Sequence, residues 1–327
     1  HVLEKCGFEQ CKSDPCVLRY VRDGVVCAVV APHVDDLSVA GKIDVLIWVR
    51  SRIKEQFSME DFGDLEYYLG CEISRDRTTQ TVTISQTRYI KSVCQKFAMD
   101  GAKKRSVPHD FSRTQDKSEN HPSVDTNTPY REAVGSLMWA SVMTRVDIAN
   151  AVRVVAKYSS NPKVTHWRAV KCILAYLNTC PSAGLSFGGF DTECELSVYA
   201  DASYAGDWKG RRSVTGGAIS WMSKVQRVVA LSSTESEYIA LSSVAQELLF
   251  LRGVLEFIQP QFPRRCIELF EDNDGACKLV RNAISFTRTK HIDVRHFLRD
   301  LSRKGEIRVV FVGTANQRAD VLTKNLP

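Results

Sequence analysis

The stretch Leu196 to Asp207, LSVYADASYAGD, constrains the fold of this chain more than any other. Leu196, Val198 and Ala200 alternate with Ser197, Tyr199 and Asp201, the period-two pattern of a half-buried strand. The strand delivers one carboxylate, Asp201, at its polar end, and Gly206-Asp207 signals a turn. A lone acid on a strand is usually a surface residue. Here three more acids, Glu237, Asp272 and Asp320, arrive in settings that can bring them to the same spot.

Thr234 opens a long helix that runs to about Ile258, with Ser232, Ser233 and Thr234 as N-cap candidates. Glu237, Leu241, Val244 and Leu248 follow one another by four, three and four residues and share a stripe. Glu235 falls on a more polar stripe with Ile239, Ser242 and Gln246, so Glu237 is the acid that points with the apolar face. A strand over Cys266–Phe270 leads to Asp272. A last strand, Ile307–Val312, precedes Asp320 and a short helix. Strand end, helix start, strand end and helix start can converge on one polar cluster. Four converging carboxylates suit Mg²⁺ or Mn²⁺, which prefer oxygen ligands. Two such ions roughly 3.5–4 Å apart activate a water and stabilise the leaving oxygen of a phosphodiester. The chain offers no Ser-His-Asp triad, glycine-rich phosphate loop or metalloprotease helix motif, so phosphodiester hydrolysis is the strongest chemistry available to it.

The 327 residues allow two or three domains with cores of their own. Hydrophobic content of 44% and charged content of 25% are those of a globular protein. A net charge of +6 permits an acidic partner such as nucleic acid without demanding one. Eleven scattered cysteines form no CxxC pair, and Cys6, Cys11 and Cys16 have no fourth ligand nearby. The scatter points to reduced thiols inside a cell. No apolar run reads as long enough to span a membrane. The start at His1 rather than Met is that of a piece of something longer.

Ahead of the acidic module, Cys16–Tyr20 and Val25–Ala31 read as a hairpin through Arg22-Asp23-Gly24. The second run leads into His33-Val34-Asp35-Asp36 and then Leu37-Ser38-Val39-Ala40-Gly41. Adjacent carboxylates at a tight turn repel, and a metal cation is the usual reason to tolerate them. An ordinary Asp-rich turn has the same sequence, so the pair alone decides nothing. Helices are predicted over Val45–Gln56, Gln86–Phe97, Tyr130–Tyr158 and His166–Leu177, and strands over Tyr67–Ile73 and Val82–Ile84. Pro108 to Thr128 reads as a linker. Ala218–Met222 and Val228–Leu231 read as strands of the last module.

These motifs, in this order, resemble the carboxy-terminal part of a copia-type retrotransposon polyprotein: reverse transcriptase followed by RNase H. VDDLSVAG is similar to the polymerase acidic-pair motif. YREAVGSLMWASVMTRVDIANAV and HWRAVKCILAYL resemble the stretch between the two enzymes. YADASYAGD, SKVQRVVALSSTESEYIAL, EDNDGA, RTKHIDVRHF and NQRADVLTKNL resemble the RNase H domain. The resemblance implies an α/β (α+β) chain in three parts: a partial reverse-transcriptase palm over 1–107, a helical, thumb- or connection-like region over 108–190, and an RNase H-like mixed-sheet domain over 194–327. It makes Asp35 and Asp36 polymerase metal ligands, and Asp201, Glu237, Asp272 and Asp320 the carboxylates that hold Mg²⁺ or Mn²⁺ for RNA cleavage. The implied partners are an RNA–DNA hybrid, DNA and RNA, read partly through 2′-hydroxyls and helical shape. The rest of the polyprotein, integrase and upstream palm included, is a further partner, and a membrane is not. The implied setting is a cytoplasmic virus-like particle or the nucleus.

The chain also departs from that family. The family's polymerase needs a further Asp from an earlier palm strand. Pro32 and His33 stand before the acidic pair where the family has no proline and a tyrosine. Val146 interrupts the TRPD pattern. Thr215-Gly216-Gly217 runs straight into AISW, which reads as a deleted strand. Two functions follow: a metal-dependent nuclease for RNA–DNA hybrids with an incomplete polymerase, or an inactive relic that only binds nucleic acid.

Overall fold

The structure, a computed structural model, describes residues 2–108, 121–188, 196–207, 212–218, 221–226, 229–261, 265–281 and 295–324. Most of the linker read at 108–128 and most of the RTKHIDVRHF motif lie outside the described residues. The chain divides into two compact units, residues 1–65 with 245–265, and residues 66–244 with 266–327. Helices and strands mix in both, in an α/β arrangement.

In the first unit a short helix, α1 (Val2–Lys5), precedes β1 (Phe8–Gln10), β2 (Leu18–Arg22), β3 (Val25–His33) and β4 (Asp36–Gly41), which form an antiparallel sheet in sequence order. Asp23 and Gly24 close β2 onto β3 with positive φ at both positions, the geometry that matches strand twist in a two-residue hairpin. Helix α2 (Ile43–Lys54) buries Val45, Val49 and Ile53 with Phe8, Leu18 and Val30 of the sheet. Pro32 is tolerated because β2 pairs with β3 only as far as Leu18↔Val30, so the proline lies beyond the doubly bonded stretch.

The second unit opens with β5 (Tyr67–Tyr68), β6 (Cys71–Asp76) and β7 (Thr81–Ser85). The single strand read over Tyr67–Ile73 is a hairpin, because Leu69 and Gly70 both take positive φ and reverse the chain. Helix α3 (Thr87–Lys96) follows, then α4 (Tyr130–Met143), a 3₁₀ turn (Val146–Ile148), α5 (Ala149–Ala156) and α6 (Val164–Thr179). They share a core that includes Ile90, Tyr130, Leu137, Val152 and Ile173. The helix expected to be continuous over Tyr130–Tyr158 is therefore broken. Its break is fixed by side chains: Thr144 donates to Gln86 at 2.9 Å, and buried Arg145 donates to both oxygens of Asp147 and to the Cys180 carbonyl at 2.8 Å. Strand β8 (Leu185–Gly188) then returns to pair with β7.

The remaining strands are β9 (Ser197–Asp207), β10 (Arg212–Ala218), β11 (Trp221–Val225), β12 (Ile267–Glu271) and β13 (Ile307–Phe311). Their order is β11-β10-β9-β12-β13, antiparallel on the β10–β11 side and parallel from β9 through β13. This is an RNase H-like mixed sheet. The expectation of a deleted strand is not met. Thr215-Gly216-Gly217 lies inside β10, where Gly216 pairs with Asp201, and Ala218 at its end pairs with Trp221 at the start of β11. The strand read at Val228–Leu231 is absent over its described part, and Gly206-Asp207 continues β9 rather than turning. Helices α7 (Ser233–Ile258), α8 (Asp274–Arg281), α9 (Arg295–Arg303) and α10 (Asp320–Thr323) complete the chain. By length and composition α7 could cross a membrane, which the sequence reading did not register. Its buried Tyr238, Leu241, Val244 and Leu248, with the acid Glu237 on the same stripe, fit a core helix equally well.

Candidate metal centre

The parallel register of β9 and β12 decides which acids meet. Ser197, Val198 and Tyr199 stand beside Glu268, Leu269 and Phe270, and continuing that register two residues places Asp272 beside Asp201. Tyr199 and Phe270 stack on the same face one step back, with centroids 4.8 Å apart. Burial along β12 alternates, with Ile267, Leu269 and Glu271 all buried, so Glu271 and Asp272 leave the strand end on opposite faces.

Two overlapping acidic groups result. Asp201, Asp272 and Asp320 offer oxygens that lie within 4.8 Å of one another, and so do Glu237, Glu271 and Asp272. Asp272 belongs to both. The four acids singled out from the sequence thus come from β9, α7, the end of β12 and the start of α10. Glu271 is a fifth acid, which sequence reasoning passed over. The signal was available: in IELFED the buried parity of Ile267 and Leu269 extends to Glu271.

Asp201, Asp320 and Glu271 are held by local structure. The Gln317 amide donates to the Ala200 carbonyl at 2.8 Å and its oxygen accepts from Ala319 N–H, pinning the loop before α10 to β9. Thr323 donates its hydroxyl to Asp201 Oδ2. The Lys324 ammonium donates to Asp320 Oδ1 at 2.6 Å and to Asp201 Oδ1 at 3.2 Å. Glu271 Oε1 accepts from Asn273 N–H at 3.0 Å. By contrast, Glu235 caps its own helix: Oε2 accepts from Leu231 N–H at 2.6 Å, and Glu235 N–H donates to Ser232 Oγ.

Two buried carboxylate oxygens, Glu237 Oε2 and Glu271 Oε2, have no hydrogen-bond partner. An orphaned carboxylate oxygen in a protein interior costs free energy unless it is protonated or meets a cation. Burial, and then the charges of Glu271, Asp201 and Asp272, push the Glu237 carboxyl up to about 10, against a hydrogen bond from the Ala202 backbone. Burial pushes Glu271 up to about 8, against the Asn273 N–H bond. Burial also raises Asp201, although Thr323 and Lys324 work the other way. An all-oxygen donor set that resists ionising on its own is one a hard divalent cation fits.

Asp35 and Asp36 are both exposed, at the turn between β3 and β4, where Val34 takes positive φ. Among the described residues no third acid, histidine or cysteine groups with them.

Residues 1–110 match the family Reverse transcriptase (RNA-dependent DNA polymerase). Over 334 aligned residues, 96% of the chain, the sequence is 38% identical to the retrovirus-related Pol polyprotein from transposon TNT 1-94 of Nicotiana tabacum. It is 34% identical over 90% of its length to the corresponding polyprotein from transposon RE2 of Arabidopsis thaliana. The chain spans 24% and 20% of those two polyproteins. A 132-residue stretch, 38% of the chain, is 47% identical to a protein named secreted RxLR effector protein 161 of Plasmopara viticola and covers 92% of it.

Proposed function

The chain belongs to the retrovirus-related Pol polyproteins of copia-type transposons, and from that premise we propose that its RNase H-like part is a Mg²⁺- or Mn²⁺-dependent nuclease for the RNA strand of RNA–DNA hybrids. One observation carries the reading: carboxylates from β9, α7, β12 and α10 meet on an RNase H-like sheet with two buried oxygens left unpartnered. Divalent cations bound there would activate a water and stabilise the leaving oxygen of a phosphodiester.

The protein's own residues divide the remaining work. Asp201, Asp272 and Asp320 form one binding group, and Glu237, Glu271 and Asp272 the other. Thr323 fixes the rotamer of Asp201 by donating to Oδ2, so that Oδ1, which accepts from the Lys324 ammonium, is the oxygen turned toward a cation. Gln317 sets the distance between β9 and α10. Glu237 and Glu271 keep their protons at neutral pH until a cation takes their place, so cation binding releases protons. Arg318 lies over the Tyr199 ring, 5.2 Å from its centroid, at the margin of the cluster, where a phosphate backbone could be met.

The decisive assay is cleavage of a labelled RNA–DNA hybrid by the purified chain with Mg²⁺. Products that vanish in Asp201→Asn would support the reading, and hybrid binding without cleavage in any divalent cation would favour the binding-only relic. The complete five-stranded sheet removes one of the observations that spoke for a relic.

A further inference from the structure

Lys324 is the only cation recorded against the acidic cluster among the described residues, and its position is specific. The ammonium bridges Oδ1 of Asp201 and Oδ1 of Asp320, two of the three carboxylates in the first acidic group. Its backbone is fixed from both sides: Lys324 N–H donates to the Asp320 carbonyl at 2.7 Å, and the Lys324 carbonyl accepts from Asn150 Nδ2 at 3.0 Å. Its side chain is 37% exposed, so a flexible four-carbon stem on a held backbone has a path to solvent. Asp201 is buried, so few other positive charges can reach it.

We propose that Lys324 is a tethered competitor for the cation site. Its ammonium occupies the place between Asp201 and Asp320 and must swing out before a divalent ion can bind that pair. The inference rests on reading the acidic cluster as a cation site. An ammonium and a divalent ion sharing two oxygens cannot both sit there, and the like charges repel at such distances. In the cation-free protein the lysine offsets repulsion among buried carboxylates. When cations are abundant it raises the concentration needed to fill the site. The two roles have one cause, so removing the ammonium must move both together.

The test is binding of Mn²⁺, counted by the loss of free-ion electron paramagnetic resonance signal, to the full 327-residue chain and its variants. Lys324→Met should lower the half-saturating Mn²⁺ concentration about tenfold. Lys324→Arg, which keeps a cation, and Lys304→Met, which removes an exposed charge elsewhere, should bind like the unaltered chain. An unchanged or weaker Mn²⁺ affinity in Lys324→Met overturns the proposal, since an ordinary i,i+4 ion pair with Asp320 would give that result. If Lys324→Met unfolds without cations, the readout becomes melting temperature against Mn²⁺. The variant must then start below the unaltered chain and gain more, and equal gains overturn the proposal. Mn²⁺ binding that is absent from the unaltered chain, or present but untouched by Asp272→Asn, would instead remove the cation site itself, and the proposal with it.

Discussion

Replacing Glu237 by Gln should change how the protein's stability depends on pH before it changes anything else. In the cation-free folded state Glu237 keeps its proton up to about pH 10, while its ordinary value is 4.5. Above that lower value the unfolded chain binds fewer protons than the folded one, so stability is full below it and falls as pH rises. The fall is about 1.4 kcal/mol per pH unit for one such group, or about 4 kcal/mol between pH 5 and 8, as a ceiling. Glu271, held up to about 8, adds to the fall in the same window. A loss of that size is a large part of a typical domain's 5–15 kcal/mol, roughly speaking. Gln has the shape of the protonated acid and never ionises. Glu237→Gln should therefore match the unaltered chain near pH 5 and exceed it at pH 8, with a shallower slope between. Urea unfolding in EDTA at pH 5, 6, 7 and 8 measures both lines. Millimolar Mg²⁺ should flatten the pH dependence of the unaltered chain and stabilise the variant less, through the Asp201, Asp272 and Asp320 group that the substitution leaves in place. Parallel lines for the two proteins in EDTA, or stability rising with pH, would refute the reasoning.

Four further outcomes are expected. Glu237→Gln should abolish hybrid cleavage while Glu235→Gln keeps most of it. The second substitution keeps the oxygen that accepts from Leu231 N–H and removes only a first-turn negative charge, so it costs about 0.5 kcal/mol of stability, seen as a slightly lower urea midpoint. The 327-residue chain should not extend a primer on an RNA template with Mg²⁺ or Mn²⁺, because no third acid joins Asp35 and Asp36 among the described residues; sustained incorporation would contradict this. Gln317→Ala should raise the Mg²⁺ concentration needed for cleavage, because the loop before Asp320 loses its bond to β9. Gly184→Ala should cost roughly 1–3 kcal/mol, since an added Cβ would run into the Ile84 carbonyl oxygen, which a thermal melt would register.

Local pattern made much of this legible. The alternation in LSVYAD and the four-three-four stripe from Glu237 describe β9 and α7 because each reports one buried face, and burial is written into periodicity. What failed was non-local. Nothing near Leu185 says that it pairs with Ile84, a hundred residues earlier. The break after α4 depends on where Arg145 finds Asp147 and Cys180, and Cys180 reaches it only through α6. Thr215-Gly216-Gly217 looked like a gap because the related family has a further strand after the Arg-Arg-Ser segment, yet these residues pair with Ala202, Asp201 and Ala200 of β9, a pairing that nothing local announces. Glu271 was missed because the strand was bounded at Phe270, one residue short of the end of β12, which left it outside the buried parity of Ile267 and Leu269.

The helices ahead of the five-stranded sheet are bonded to its outer strand and to the last helix. Trp221 Nε1 donates to the Ser141 carbonyl at 2.5 Å, and Arg153 Nε donates to Ser223 Oγ, which donates in turn to the Leu322 carbonyl. Asn150 holds Lys324. A cut in the chain between residues 188 and 196 would therefore produce two fragments that copurify rather than two free domains. Expressed separately and mixed, those fragments should reassemble, whereas the sheet fragment alone would leave the Lys324 carbonyl and the Trp221 indole N–H without the partners that now satisfy them.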